Sequence, residues 1–249
     1  MRQGVALKKS AKARQRYSFM QFVLRALWKL AILFVILSIL LVLPIRWLAP
    51  PFSSLMVQRY LQTPNEPQND VTIHYTWVSY QNISPHMALA VIAAEDQRFP
   101  LHTGFDFTEI KQALQDHARG KPLRGASTIT QQVSKNLYLW PDQSLLRKGF
   151  EAWFTLLIEL TWPKRRILEI YLNIAEMGEQ VFGVEAASRR FFNKSANQLS
   201  REEAALLAAV LPNPLHYRVT KPSDHVWRRQ NWILQQMRQL GDNPYLEKL

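Results

Sequence analysis

The chain has 249 residues, of which 47% are hydrophobic, so it is long enough for one ordinary domain with appendages and too apolar for a disordered protein. The absence of cysteine excludes disulfides, thiolate metal sites and a cysteine nucleophile. The formal net charge of +12 suits nucleic acid, an anionic membrane or a negatively charged substrate, and the position of the charges decides among these.

The positive charge is concentrated at the N-terminus. Residues 1–65 carry ten basic residues and no acidic residue, whereas the chain from Glu66 onward has 21 basic and 19 acidic residues. A nucleic-acid-binding domain is normally basic in its folded part. We therefore expect no nucleic-acid partner.

An apolar segment follows the basic tail. Residues 30–43 carry no charge and a single polar residue, Ser38, and Trp28 and Trp47 stand where interfacial aromatic residues are typical. We predict a tail over 1–21 and a transmembrane helix over 22–48. A buried core helix is the alternative, but the segment has no polar face and its flanks are basic.

The orientation of this helix follows from the six basic residues before Gln21, which predict a cytoplasmic N-terminus and an outer location for the rest of the chain. A cleaved signal peptide is the alternative. The sequence Trp47-Leu48-Ala49-Pro50 is a poor cleavage site, so we expect an uncleaved anchor. In a Gram-negative cell the outer side is the periplasm.

Beyond the membrane, a proline-rich stretch predicts a linker over 49–69, followed by a folded domain over 70–249. Alternation of Val71, Ile73, Tyr75 and Trp77 with polar or small residues predicts one short strand. The rest of the pattern is helical, and the helix that begins at Lys164 is expected to reach Met177. Capping signals and apolar spacing predict helices that begin near Ser84, Asp106, Thr128, Leu145, Lys164, Ser200 and Asp224.

The first of four polar stretches follows the apolar run 90–94. It begins with Glu95 and Asp96 and continues to His102 and Gly104. A carboxylate at the end of an apolar helix is partly removed from water, which suits it to general base catalysis. Taken alone, Glu95 is better explained as a solvated acid at a helix end.

The second stretch, 125–136, brings hydroxyl, amide and ammonium groups to the start of a helix. Gln131 and Lys135 share one helix face, and Gln132 and Asn136 share the neighbouring face. Such groups suit sugar and phosphate oxygens, although an N-capped surface helix explains the same pattern. The candidate substrate-binding residues here are Ser127, Thr128, Gln131, Gln132, Lys135 and Asn136.

The third stretch places Arg147 and Lys148 one helical turn before Glu151, where an ordinary surface ion pair is the alternative. It lies within residues 111–166, which hold ten basic and four acidic residues and could bind a phosphorylated substrate. The fourth stretch, 166–173, is explained mainly by the apolar spacing of a structural helix. The sequence contains no phosphate-loop pattern, no dinucleotide glycine pattern and no metal-binding histidine pair.

Together these stretches resemble the motifs of the peptidoglycan glycosyltransferase family, which includes monofunctional biosynthetic transglycosylases and a module of class A penicillin-binding proteins. The family pattern Glu-Asp-x-x-Phe-x-x-His-x-Gly matches 95–104, and Gly-x-Ser-Thr-Ile-Thr-Gln-Gln matches 125–132. Three later motifs match 147–151, 167–173 and 183–192 in the same order. Five motifs in order are specific, and the single span leads us to expect the monofunctional type.

The resemblance implies an all-α, lysozyme-like, two-lobed domain behind a single N-terminal transmembrane helix. It also implies an inverting glycosyltransferase that elongates glycan strands from lipid II, forms β-1,4 bonds and releases undecaprenyl pyrophosphate. In that reaction Glu95 is expected to be the general base and Glu151 the second catalytic acid. The cations expected to hold the pyrophosphate are Lys135, Arg147 and Lys148.

Two points stay open in the sequence. Glu151 either positions the cations or binds a divalent metal such as Mg²⁺. Gln143 stands where several relatives have an arginine, so either the pyrophosphate site has one charge fewer than theirs or Arg147 or Arg124 compensates. The resemblance further implies an inner-membrane location with a periplasmic catalytic domain. The partners expected are lipid II, the growing glycan chain, the membrane and proteins of cell division or wall synthesis.

Two other functions are compatible with such a fold. A lytic enzyme would cleave glycan, but neutral glycan has no pyrophosphate leaving group that needs the cations near Lys135 and Arg147. A non-catalytic scaffold of wall synthesis would tolerate changes at Glu95.

Overall fold

The computed structural model describes residues 2–62, 72–120, 122, 125, 127–241 and 245–249, with side chains from Met20 onward. The chain divides into two compact units, Met1–Pro44 and Ile45–Leu249. The helices are α1 (Arg2–Val42), α2 (Ser54–Gln62), α3 (Pro85–Glu95), α4 (Phe107–Ala118), α5 (Ile129–Tyr138), α6 (Leu145–Thr161), α7 (Lys164–Ile174), α8 (Val184–Phe192), α9 (Arg201–Val210) and α10 (Asp224–Leu240). The strands are β1 (His74–Tyr75), β2 (Glu176–Gly178) and β3 (Val181–Phe182).

The first unit consists of the long helix α1. The segment Met20–Arg46 is long and apolar enough to cross a membrane, with a mean hydropathy of 2.7 over an 18-residue window of which 11% is buried. A core helix of a soluble protein would be mostly buried. Within the described residues this is the one helix of its kind, so the prediction of a single N-terminal apolar helix is confirmed. It is consistent with a single-pass anchor.

The second unit contains two groups of packed helices. In the first group, α3 packs against α9 and α10, which also pack against each other. Helix α3 is apolar on every face, and its residues from Met87 to Ala93 are buried. A helix without a polar face is stable only when protein surrounds it, which explains its central place.

In the second group, α5 packs against both α6 and α7. The apolar face of α5 carries Ile129 and Val133, which are fully buried. Tyr138 stacks on Phe154 of α6 with the ring centroids 5.0 Å apart. This packing leaves the opposite, polar face of α5 for other contacts.

A small sheet with strand order β1-β3-β2 accompanies the helices, with β1 parallel and β2 antiparallel to β3. The predicted extent of the helix from Lys164 is wrong, because α7 ends at Ile174 and residues Glu176–Gly178 pair with β3 instead. All three residues of β2 are buried, so apolar spacing alone did not distinguish strand from helix there. The strand predicted around Tyr75 has two residues, and Val71 lies outside the described residues.

Part of the predicted linker over 49–69 is folded, since it contains α2; its residues 63–69 lie outside the described residues. The Ser54 hydroxyl and the Gln58 amide both donate to the carbonyl of Leu139, at 2.6 and 2.7 Å. Arg59 pairs with the buried Glu176 of β2 at 2.8 Å. Burial raises the pKa of Glu176, and Arg59 acts in the opposite direction. Helix α2 is therefore fastened to the folded domain.

The helix starts agree with the sequence. Thr128 and Gln131 form a reciprocal capping box at α5, and Ser200 and Glu203 form another at α9. Asp106 caps α4 by accepting from two backbone N–H groups. The prediction of an all-α domain is confirmed, with the three short strands as a minor addition.

At Gly183 the backbone of a neighbouring segment comes too close for a side chain. Gly183 has φ +81, and a Cβ atom there would lie 2.4 Å from the carbonyl oxygen of Asn173. We expect Gly183→Ala to lower the free energy of unfolding by about 2 kcal/mol or more, because it combines a left-handed conformation with a backbone clash. Chemical denaturation of the detergent-solubilised protein, followed by circular dichroism, measures this change.

Gly149→Ala is the matched control, since a Cβ at this position in α6 meets nothing within 4 Å. Alanine in a helix interior should keep or raise stability, by about 0.5–1 kcal/mol. Equal stability of Gly183→Ala and the unmodified chain would contradict the clash.

Candidate active site

Glu95 is the last residue of α3 and lines a cleft of about 980 Å³. Its side chain is 14% exposed. Its Oε2 atom accepts a hydrogen bond from Gln132 Nε2 at 2.9 Å, and its Oε1 atom accepts one from Arg229 Nη2 at 3.2 Å. A carboxylate held in this way at the wall of a cleft can accept a proton from a bound hydroxyl group.

The neighbouring Asp96 joins the end of α3 to the start of α5. Its carboxylate is buried, accepts from the backbone N–H of Ile129 at 3.0 Å and lies 2.9 Å from Nε2 of His102. A second link is the hydroxyl of Thr128, which donates to the carbonyl of Gly104 at 2.7 Å. The first two sequence motifs are therefore in direct contact.

Three predicted residues stand at the start of α5. Ser127 is exposed and, with Thr128, lines the cleft that contains Glu95. Thr128 and Gln131 are buried, and each side chain serves the capping box. Their hydrogen bonds stabilise the helix start, and their predicted contacts with substrate stay predictions.

A second cleft, of about 560 Å³, adjoins the first. Gln132 and Pro212 line both clefts, so the space beside Glu95 and the space beside the cations share part of their walls. The predicted residues Lys135, Asn136 and Arg147 line the second cleft. Arg59 of α2 also lines it, so this helix contributes to the wall.

Two cations surround Glu151 on α6. Its side chain is 3% exposed; Arg147 Nη1 donates to Oε2 at 2.8 Å, and Lys148 Nζ donates to Oε1. The Nε atom of Arg147 is buried and has no hydrogen-bond partner among the described residues. Glu151 thus fixes the position of both cations while leaving donor capacity on each.

The third of the predicted cations is Lys135. Desolvation by the surrounding protein lowers its pKa, although the residue as a whole is exposed, and the carboxylate of Glu151 acts in the opposite direction. The charges of Arg147 and Lys148 also lower the pKa, and that of Glu95 raises it. The ammonium therefore lies within electrostatic range of both predicted acids.

Each carboxylate oxygen of Glu151 accepts from a cation, so these contacts support cation positioning, and the alternative role in binding a divalent metal stays a prediction. Asp96, His102 and Asp106 form a second candidate group, with ligand atoms within 4.8 Å of one another. Asp96, however, holds the start of α5, and Asp106 caps α4 and pairs with Arg98 at 3.2 Å. These two carboxylates therefore serve as structural contacts at the starts of α4 and α5.

The fourth sequence stretch is structural, as its apolar spacing indicated. Asn173 is fully buried, and its amide exchanges hydrogen bonds with the backbone of Val78 at 2.8 and 2.9 Å. Glu169 accepts from the backbone of Tyr80 at 2.9 Å. Both side chains hold the segment before α3 against α7.

Sequence reasoning missed two residues next to the predicted base. Arg229 comes from α10, 134 residues after Glu95, and no local pattern connects them. Tyr171 of α7 donates its hydroxyl to Gln132 Oε1 at 3.2 Å, although its apolar surroundings marked it only as a core residue. Gln143 lines the second cleft, where its neutral side chain adds no charge.

Comparison with known proteins identifies the family of the chain. The family model for transglycosylases matches residues 65–238. Among proteins named biosynthetic peptidoglycan transglycosylase, one from Xylella fastidiosa is 51% identical over 212 residues, covering 85% of this chain and 87% of its own length. Others from Shewanella amazonensis and Pseudomonas fluorescens are 52% and 50% identical, covering 87% and 94% of this chain and 89% and 95% of their own lengths. The chain therefore belongs to the transglycosylase family.

Proposed function

We propose that the chain is a peptidoglycan transglycosylase that extends glycan strands from lipid II and releases undecaprenyl pyrophosphate. The observation that carries this proposal is the arrangement around Gln132, whose amide contacts the carboxylate of Glu95 and also lines the cleft that holds Lys135 and Arg147. A single site thus offers a proton acceptor beside a group of cations. Glycosyl transfer from a diphosphate donor needs both.

In the proposed reaction Glu95 is the general base. The 4-hydroxyl of the acceptor sugar attacks the anomeric carbon of the donor, the bond between that carbon and the pyrophosphate oxygen breaks, and the hydroxyl proton passes to Glu95. Attack on the face opposite the leaving group inverts an α-linked diphosphate to a β-1,4 bond. This geometry is that of an inverting glycosidase with a sugar hydroxyl in place of water.

The leaving pyrophosphate keeps its negative charge and needs cations rather than a proton. We assign this role to Lys135, Arg147 and Lys148, which stabilise the charge as it develops. Glu151 neutralises part of this positive charge and holds two of the cations in place. Of the two roles left open by the sequence, cation positioning is the one that the contacts of Glu151 support. A metal requirement is not part of the proposal.

We further propose that α1 anchors the enzyme in the bacterial inner membrane, with a cytoplasmic N-terminus and a periplasmic catalytic domain. The basic residues that precede the apolar segment support this orientation. Lipid II resides in the same membrane, so the anchor keeps the enzyme at the surface where its substrate is found. Contacts with division or wall-synthesis proteins remain a prediction.

Replacing the base tests the proposed chemistry. Glu95→Gln keeps the size of the side chain but removes the proton acceptor, so polymer formation from purified lipid II should fall by about 10²- to 10⁴-fold. The exposed Glu179 supplies the control, since Glu179→Gln removes a carboxylate elsewhere on the surface. Near-normal polymer from Glu95→Gln would favour the scaffold, and fragments released from finished glycan would favour a lytic enzyme.

Removing a cation tests the pyrophosphate site. We expect Lys135→Ala to slow polymerisation by about 10²-fold or more, because the leaving group loses one stabilising charge. The melting temperature should change little, since Lys135 is exposed and its substitution leaves no cavity. Lys221→Ala, at another exposed lysine, is the control. Unchanged turnover of the Lys135 variant would assign the leaving-group site to other residues.

The lowered pKa of Lys135 gives a pH dependence with a defined sign. As the pH rises, Lys135 loses its charge earlier than an ordinary lysine, so kcat/KM for lipid II should decline on the alkaline side. Arginine keeps its charge throughout this range. The alkaline limb of the kcat/KM profile should therefore move to higher pH in Lys135→Arg, whatever its maximal rate. Superimposable limbs would contradict the assignment of this titration to Lys135.

A further inference from the structure

The carboxylate of Glu95 is held on both of its oxygens by side chains from two other helices. Arg229 of α10 donates to Oε1 at 3.2 Å, and Gln132 of α5 donates to Oε2 at 2.9 Å. Since the two donors approach different oxygens, they restrict rotation of the carboxylate plane as well as its position. The orientation of the proposed base thus depends on where α5 and α10 are placed.

A third helix determines which way the Gln132 amide points. Its Oε1 atom accepts from the hydroxyl of Tyr171, which is 1% exposed, and its Nε2 atom faces Glu95. Burial raises the pKa of Tyr171 well above its ordinary value, so the phenol stays protonated and remains a donor. A flipped amide would place an oxygen against the carboxylate, and two acceptors would then face each other.

We propose that Tyr171 and Arg229 are positioning residues for the catalytic base: Tyr171 acts through the Gln132 amide, and Arg229 acts directly on the Glu95 carboxylate. Neither residue exchanges a proton in the reaction. Together they orient the free lone pairs of Glu95 toward the acceptor hydroxyl in the first cleft, which Glu95 lines. This proposal rests on the function assigned to Glu95 above.

If Tyr171 and Arg229 position the base, replacing them should lower the rate without a matching loss of affinity for lipid II. Small displacements of a catalytic group cost about ten- to a hundredfold in rate, so Tyr171→Phe and Arg229→Gln should lower kcat by that factor. KM for lipid II should stay within about twofold, because neither substitution removes a cation of the pyrophosphate site. Arg229→Lys, which keeps a donor and a charge, should recover part of the lost kcat, as should added guanidinium with Arg229→Gln.

The chain supplies a matched control for each substitution. Tyr138 has a buried hydroxyl without a hydrogen-bond partner among the described residues, so Tyr138→Phe removes the same atom from a comparable interior. Arg238 is exposed in the last turn of α10, so Arg238→Gln removes the same charge from the same helix. Both control variants should retain the kcat of the unmodified chain.

A double-mutant cycle tests whether Tyr171 acts through Gln132. In a Gln132→Ala background the phenol has no amide to orient, so adding Tyr171→Phe should cause no further loss of kcat. Multiplicative losses in the double variant would indicate an independent structural role and overturn the proposal for Tyr171. Melting temperatures of all variants identify any that do not fold, and the partly exposed Arg229 provides a test independent of the buried tyrosine.

The outcomes separate this proposal from the function on which it rests. If Glu95→Gln polymerises normally, the assigned base is wrong and both proposals fail. If Glu95→Gln is inactive while Tyr171→Phe and Arg229→Gln keep the kcat of their controls, the function stands and the positioning role is overturned. Loss of kcat at unchanged KM in both variants, with recovery in Arg229→Lys, supports the proposal.

Discussion

The buried carboxylate of Asp96 is the contact on which the rest of the site depends. It accepts from the backbone of Ile129 and contacts His102, so the end of α3 and the start of α5 are held together. A buried carboxylate is stable only with such partners, and its loss would leave the N–H of Ile129 without an acceptor. Because Glu95 directly precedes this residue and Gln132 lies one turn beyond Ile129, the Asp96 contacts also set the spacing between the Glu95 carboxylate and the Gln132 amide.

The site brings Glu95 close to several cations, two of which pair with a different acid, Glu151. Glu151 takes up Arg147 and Lys148, and Glu95 has its own cation in Arg229. Lys135 lies within electrostatic range of both acids and is the cation whose pKa is lowered by its surroundings. Glu151 is the more deeply buried acid and pairs with two cations, whereas Glu95 pairs with one and lines the cleft. The two roles proposed above, cation positioning for Glu151 and proton acceptance for Glu95, follow this difference.

Local features of the sequence predicted much of this structure, because helix caps and apolar spacing involve neighbouring residues. The capping box of Thr128 and Gln131 is an example, and so is the apolar helix that ends at Glu95. The contact of Arg229 with Glu95 joins residues 134 positions apart, so only the packing of α10 against α3 reveals it. Helix α2 was not predicted, because the prolines and asparagines on both sides of it indicated a linker. The residues that hold it in place are distant in sequence, so no local pattern revealed them.

The attachment of α2 affects where the enzyme can be divided. The proline-rich segment between α1 and the folded domain suggests a place to cut the chain, but it contains α2. Here a cut after Gln62 would remove Arg59 from the buried Glu176 and take away one wall of the second cleft. A soluble form intended for inhibitor screening should therefore begin before Ser54, because a shorter fragment would present an altered binding surface to the compounds being tested.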